Sequence, residues 1–140
     1  MKVGVYAGSF NPFHRGHYDI LLKAEKIFDK VIVARGCNPE KTNELLPLPN
    51  AIMDRTVVNY DGLLTDYLLS LPYENVTLVR GLRNSDDLQY EMNQYRYLQD
   101  LMPEIQMVCI FCDKQYDYIS SSGIRTLSKY GSDKVKDYLI

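Results

Sequence analysis

The chain contains only two histidines, and both fall within four residues, His14-Arg15-Gly16-His17. At the start of a helix, positions three apart share a face, and a glycine between them leaves room for a ligand to approach. Just upstream, Gly8-Ser9-Phe10-Asn11-Pro12 has the composition of an anion-accepting turn, with a permissive glycine, a hydroxyl, and backbone N–H groups ahead of a helix N-terminus. The competing explanation for the histidines is a pair of surface helix caps. Arg80-Gly81-Leu82-Arg83 places two guanidinium groups around a glycine turn, and arginine's planar fork of donors matches phosphate oxygens. Taken alone, such a pair is common on protein surfaces. Lys41, in a proline-flanked loop, adds a mobile point charge. Ser120, Ser121 and Ser122 offer hydroxyls and unpaired N–H groups at a helix start, although N-capping is the more frequent role of serine there. Together these groups describe a site for a nucleoside triphosphate, with no carboxylate cluster to form a dedicated metal cage. G-x-x-x-x-G-K-[ST] is absent, and so is G-x-G-x-x-G in the first turn, which excludes a P-loop NTPase and argues against hydride transfer.

Such residues can act together only if the fold brings them to one edge. Apolar residues alternate between strand-like runs and helix-period segments, the pattern of a β/α domain with a parallel sheet. Strands are predicted at 3–7, 31–34, 56–59, 76–80 and 106–112. Helices are predicted at 16–28, 61–71, 86–101 and 123–129, with a helical tail near 132–139. In the first helix Ile20, Leu21, Ala24, Ile27 and Phe28 are expected on one face. Residues 36–50 hold three of the six prolines and read as an active loop. Sites in such sheets lie at the carboxyl ends of the strands, so the loops after Ala7, Ala34, Arg80 and Cys112 should face one crevice.

The 140 residues suffice for one domain and one sizeable core. A formal charge of −2 argues against a nucleic-acid partner, because backbone binding needs clustered positive charge. No apolar run is long enough to cross a bilayer, and the N-terminus turns polar too early for a signal peptide, so a cytoplasmic protein is expected. Three cysteines make no disulfide framework. Cys109 and Cys112 fall in an apolar run that reads as a buried strand, where residues three apart point to opposite faces and suit no shared metal.

Gly8-Ser9-Phe10-Asn11-Pro12 with Gly16-His17 resembles the [HT]-x-G-H signature of the nucleotidyltransferase superfamily, and Ile119-Ser120-Ser121-Ser122 resembles its second motif. Within that superfamily the chain is most similar to the phosphopantetheine adenylyltransferases. The likeness runs through Asn38-Pro39-x-Lys41, Gly62-Leu63-Leu64-x-Asp66-Tyr67, Val79-Arg80-Gly81-Leu82-Arg83, Asp87-x-x-Tyr90-Glu91 and Leu101-Met102-Pro103-Glu104, in the family's order and to about residue 129. The resemblance implies a Rossmann-like, doubly wound α/β fold with a five-stranded parallel sheet. It implies transfer of AMP from ATP, with magnesium, to 4′-phosphopantetheine in coenzyme A synthesis, and a homo-oligomer, a hexamer. Carried onto this chain, it makes Ser9, Lys41 and His17 the catalytic groups, with His17 on the α-phosphate. Gly8, Ser9, Phe10, His14, His17, Gly81, Arg83, Tyr90, Glu91, Ser120, Ser121 and Ser122 would serve ATP. Ser9, Lys41, Leu64 and Arg80 would serve the acceptor. The chain departs from the family's pattern in lacking an acidic run after Lys41, in carrying Leu98 where the family has an asparagine, and in having His14 where threonine is common. Nicotinamide or nicotinate mononucleotide as acceptor, and a non-catalytic nucleotide-binding relative, therefore stand as alternatives at this stage.

Overall fold

In the computed structural model, residues 1–37 and 44–140 are described. Five strands, β1 (Lys2–Gly8), β2 (Lys30–Gly36), β3 (Thr56–Tyr60), β4 (Asn75–Leu82) and β5 (Met107–Phe111), form one sheet in the order β3-β2-β1-β4-β5. Every pairing is parallel. The helices are α1 (Arg15–Glu25), α2 (Leu64–Ser70), α3 (Ser85–Leu101), α4 (Ser121–Lys129) and α5 (Val135–Tyr138). Parallel neighbours require crossovers, and the crossovers cover both faces of the sheet. Alternation along the strands divides the core accordingly. Tyr6, Val31, Val33 and Val79 pack with Ile20, Leu21, Ala24 and Phe28 on the α1 side. Val5, Ala7, Ile32, Ala34 and Leu78 pack with Leu68 of α2 and with Leu98 of α3 on the other. This is the doubly wound α/β arrangement expected.

Two expectations need correction. α1 ends at Glu25 rather than at 28, so Ile27 leaves the helical face and is 56% exposed, while Phe28 turns back into the core. The run around Cys109 is not a buried strand: β5 is half-buried from Met107 to Ile110 and exposed at Phe111, because it pairs only with β4 at the sheet edge. Val108, Ile110 and Cys112 pack toward the α1 side, so by alternation Cys109 lies on the other face. Short 3₁₀ turns at Asn50–Ile52 and Lys114–Tyr116 were not expected at all.

β1 sits centrally, and the strand order reverses beside it. The chain moves outward from β1 through β2 to β3 and then returns to lay β4 on β1's other side. At such a reversal the loops after β1 and β4 leave in opposite directions, which opens a crevice at the carboxyl ends of the strands.

Candidate active site

A cavity of about 520 Å³ occupies that crevice, within the size range of small-ligand sites. Its wall comes from three loops. Gly8, Ser9, Phe10, His14, Gly16 and His17 follow β1; Arg80, Gly81, Arg83, Asp87, Tyr90 and Glu91 come from β4 and α3; Cys112, Ser120, Ser121 and Ser122 follow β5. The loop after β2, fourth in the expected set, carries Lys41, which lies outside the described residues. Leu64 begins α2 half-buried and packs, like Leu98, against the core on the α3 side; neither lines this cavity.

The two histidines both cap α1 and face the cavity, so the competing explanations of their spacing merge. His14 is the N-cap and accepts the Gly16 N–H at its Nδ1 (3.1 Å), while the His14 N–H donates to Nδ1 of His17 (3.1 Å). This is a capping box with imidazoles in place of the usual hydroxyl and carboxamide. The rings stack with centroids 3.7 Å apart. A Cβ on Gly16 would meet the His14 ring at 3.0 Å, so the glycine makes room for that ring rather than directly for a ligand. Because each Nδ1 accepts a backbone proton, the neutral imidazoles carry their own proton on Nε2. Burial pushes the pKa of His14 down to about 4, with Arg83 adding to the effect. Burial, then His14, Arg83 and Arg80, hold His17 well below the ordinary histidine value. At neutral pH both rings are hydrogen-bond donors without charge.

The arginines are held by carboxylates. Arg80 donates from Nε and Nη2 to the two oxygens of Glu91, each at 2.9 Å, and from Nη1 to the Ala7 carbonyl at 2.6 Å. Glu91, 5% exposed, is the one buried residue of α3. The family role given to Glu91 was toward ATP; here its carboxylate grips Arg80. Arg83 makes the corresponding fork to Asp87 at 2.9 and 3.0 Å, four residues on, and donates to the Ile119 carbonyl at 3.3 Å. Both guanidinium groups are therefore oriented before any anion arrives, which lowers the ordering cost of binding.

The serines divide their work. Ser120 is the N-cap of α4, its Oγ accepting the Gly123 N–H at 3.0 Å. Ser121 Oγ donates to the Pro12 carbonyl at 2.8 Å, and Arg125 donates to the Asn11 carbonyl at 2.6 Å, so α4 grips the turn after β1. Asn11 ties that turn to the far end of the following loop through the Glu44 carbonyl (2.9 Å) and the Leu46 N–H (2.7 Å). Sequence reasoning passed over Tyr6, Ile20, Asp86 and Cys112 as wall residues and Arg35 behind the wall, whereas Arg125 was noted after the serines only in connection with a mononucleotide acceptor. Of these, only Tyr6 carried a readable signal, as an inward aromatic on the strand feeding the turn. Among the described residues no group of three His, Cys, Asp or Glu side chains is placed to hold a metal ion.

A parallel sheet whose central strand delivers a histidine-bearing turn into a crevice lined by arginines and serines defines a nucleotidyltransferase. In agreement, residues 5–127 match the family model described as cytidylyltransferase-like. The chain is 34% identical over 146 residues to a phosphopantetheine adenylyltransferase of Levilactobacillus brevis, covering 95% of this chain and 87% of that protein. It is 38% identical over 143 residues to one of Streptococcus pneumoniae, covering 94% and 86%. The chain belongs to the phosphopantetheine adenylyltransferase family. Its fold is shared at a TM-score of 0.64 and 18% identity with a bifunctional NMN adenylyltransferase/ADP ribose pyrophosphatase of Francisella tularensis, over 99% of this chain and 44% of that one.

Proposed function

We propose that this enzyme transfers AMP from ATP to 4′-phosphopantetheine, giving dephospho-CoA and pyrophosphate. The observation that carries the reading is the meeting of neutral histidine donors, oriented arginines and serine hydroxyls around one cavity at the strand-order reversal. The acceptor's phosphate is already an anion, so no general base is needed; its oxygen attacks the α-phosphorus in line as pyrophosphate departs. Catalysis then consists of alignment and of charge stabilisation on the oxygens in flight. His17 presents Nε2–H toward the cavity for an α-phosphate oxygen. Ser9 adds its hydroxyl and the turn's N–H groups, with Gly8 and Phe10 shaping the approach. Arg83, Gly81, Tyr90, Ser120, Ser121 and Ser122 accommodate the rest of ATP. Arg80, steadied by Glu91, and Lys41 receive the acceptor's phosphate, and Leu64 borders its pantetheine arm.

Glu91 and Asp87 are occupied by arginines and among the described residues no other carboxylates gather to hold a metal, which fits magnesium that would enter with the triphosphate rather than sit in a protein cage. When bound, the ion withdraws charge from the leaving pyrophosphate. A homo-oligomer, a hexamer, is part of the reading and is supported by exposed Leu88, Met92, Tyr97 and Leu101 along α3. A cytoplasmic setting accords with three free cysteines. No described helix is long and apolar enough to cross a membrane.

The test is to incubate the protein with ATP, magnesium and one acceptor at a time, and to measure pyrophosphate. Release with 4′-phosphopantetheine, and little with nicotinamide or nicotinate mononucleotide, is expected. Tight ATP binding with no pyrophosphate from any acceptor would identify a non-catalytic nucleotide binder instead.

A further inference from the structure

Arg35, near the end of β2, is 5% exposed, and its side chain does not line the cavity. Its Nε donates to the Ser9 carbonyl at 3.0 Å and its Nη2 to the Phe10 carbonyl at 2.9 Å. Among the described residues it has no carboxylate partner, and burial pushes its pKa down, with the nearby Cys37 opposing the shift only in part. Taking a guanidinium out of water without an opposite charge is costly. A buried cation that spends two charge-assisted bonds on two consecutive carbonyls is therefore fixing those carbonyls.

The two carbonyls flank one residue. Phe10 has φ +47°, the only non-glycine residue with positive φ among those described, a conformation an L residue holds only when its surroundings impose it. The Ser9–Phe10 peptide precedes its Cα and the Phe10–Asn11 peptide follows it, so one guanidinium clamps the planes on both sides. In a trans peptide the N–H points opposite to the C=O. With both carbonyls turned to Arg35, the N–H groups of Phe10 and Asn11 are turned away from it, and neither donates a hydrogen bond among the described residues. The same clamp seats the Phe10 ring edge-on to His17, with centroids 5.0 Å apart.

We infer that Arg35 is a positioning residue that holds the turn after β1 in its phosphate-receiving form, turning the Phe10 amide toward the triphosphate and setting Phe10 against His17. The inference rests on the reading of the cavity as an ATP site. It acts on the phosphates and not on the nucleoside, which gives the test its contrast.

ATP and adenosine are titrated separately into the unmutated protein, Arg35→Met and Arg35→Lys, with thermal unfolding recorded for each. Methionine fills much of the same space, and replacing a buried ion by an apolar side chain is often tolerated. Arg35→Met is expected to weaken ATP about tenfold, the loss for roughly one charge-assisted hydrogen bond, with adenosine affinity kept within about twofold. Arg35→Lys, a point charge that cannot bridge both carbonyls, should fall between. A folded variant that binds ATP as the unmutated protein does, or that loses ATP and adenosine equally, overturns the inference. Should neither variant fold, the unmutated protein decides. The amide resonance of Phe10 should move strongly when ATP replaces adenosine, and an unmoved resonance overturns it. Pyrophosphate release by the unmutated protein separates the outcomes: its absence removes the adenylyltransferase reading, whereas its presence with unaffected variants removes only the role of Arg35.

Discussion

His14 and His17 share one arrangement of protons: the backbone N–H of the first is accepted by Nδ1 of the second at 3.1 Å. Protonating His17 at Nδ1 would aim two hydrogens at each other and dismantle the cap of α1. The geometry that starts the helix thus also keeps the His17 imidazole neutral, with its own proton on Nε2.

Replacing His17 by alanine removes the donor proposed for the α-phosphate. Turnover is expected to fall by roughly 10²–10³ or more, with ATP affinity changing far less, as for a group acting mainly in the transition state. Steady-state kinetics paired with ATP titration check it; an equal loss of affinity and turnover would refute the assignment.

Stability should depend on pH through the same pair. Both histidines have folded pKa values below the unfolded value, so the unfolded chain takes up protons first as the solution is acidified. Their stabilising contribution is complete above about pH 6.5 and declines as pH falls toward about 4. For His14 alone the span corresponds to roughly 3 kcal/mol. Urea midpoints measured from pH 7 to 4.5 should decrease, and the decrease should shrink in His14→Asn, whose side chain caps without titrating.

Glu91 grips Arg80 from a buried position on α3, with the Arg80 side chain about a quarter exposed. Glu91→Ala leaves the guanidinium with only the Ala7 carbonyl among those partners, and should cost about 2–3 kcal/mol, at the low end for a broken buried pair because of that exposure. Glu91→Gln keeps an acceptor and should lose less. Denaturant unfolding at constant m-value reads the difference.

Asp87 occupies the Arg83 fork that a phosphate would use. Asp87→Asn is expected to tighten ATP binding several-fold at low salt, an advantage that fades as ionic strength rises. Affinities at two salt concentrations test this. Weaker binding at both would mean that the carboxylate is needed to aim Arg83.

Ser121 couples α4 to the turn after β1 through the Pro12 carbonyl. Ser121→Ala should cost about 1 kcal/mol, and Ser121→Thr should restore it. Melting temperatures of the three proteins give the comparison.

All five strands were legible from apolar runs bounded by turn residues, most plainly β1, β2 and β4, which are buried inside the sheet. Their lateral order was not legible. Nothing in a run of valines says that β4 returns to lie beside β1. The convergence of the β1, β4 and β5 loops followed from the general placement of sites at strand ends, whereas partner choice did not. Glu91 and Asp87 were visible as acids near a motif, but only the helix geometry of α3 shows that each faces an arginine. Arg35 was missed because the strand was expected to stop at Ala34, and a single arginine after a strand carries no spacing signal. Ile27 was misplaced because helical periodicity continues on paper past the residue where the chain leaves the helix.

The sheet separates two tenants. Phe10 and Phe13, beneath His17, rest on the α1 layer, while Leu64 and Leu98 rest on the opposite one. Substitutions in the second layer are expected to reshape the surroundings of α2 and α3 while leaving the packing beneath the turn after β1 in place. In the proposed reading, the recipient's side of the frame can therefore change while the nucleotide's side stays as it is.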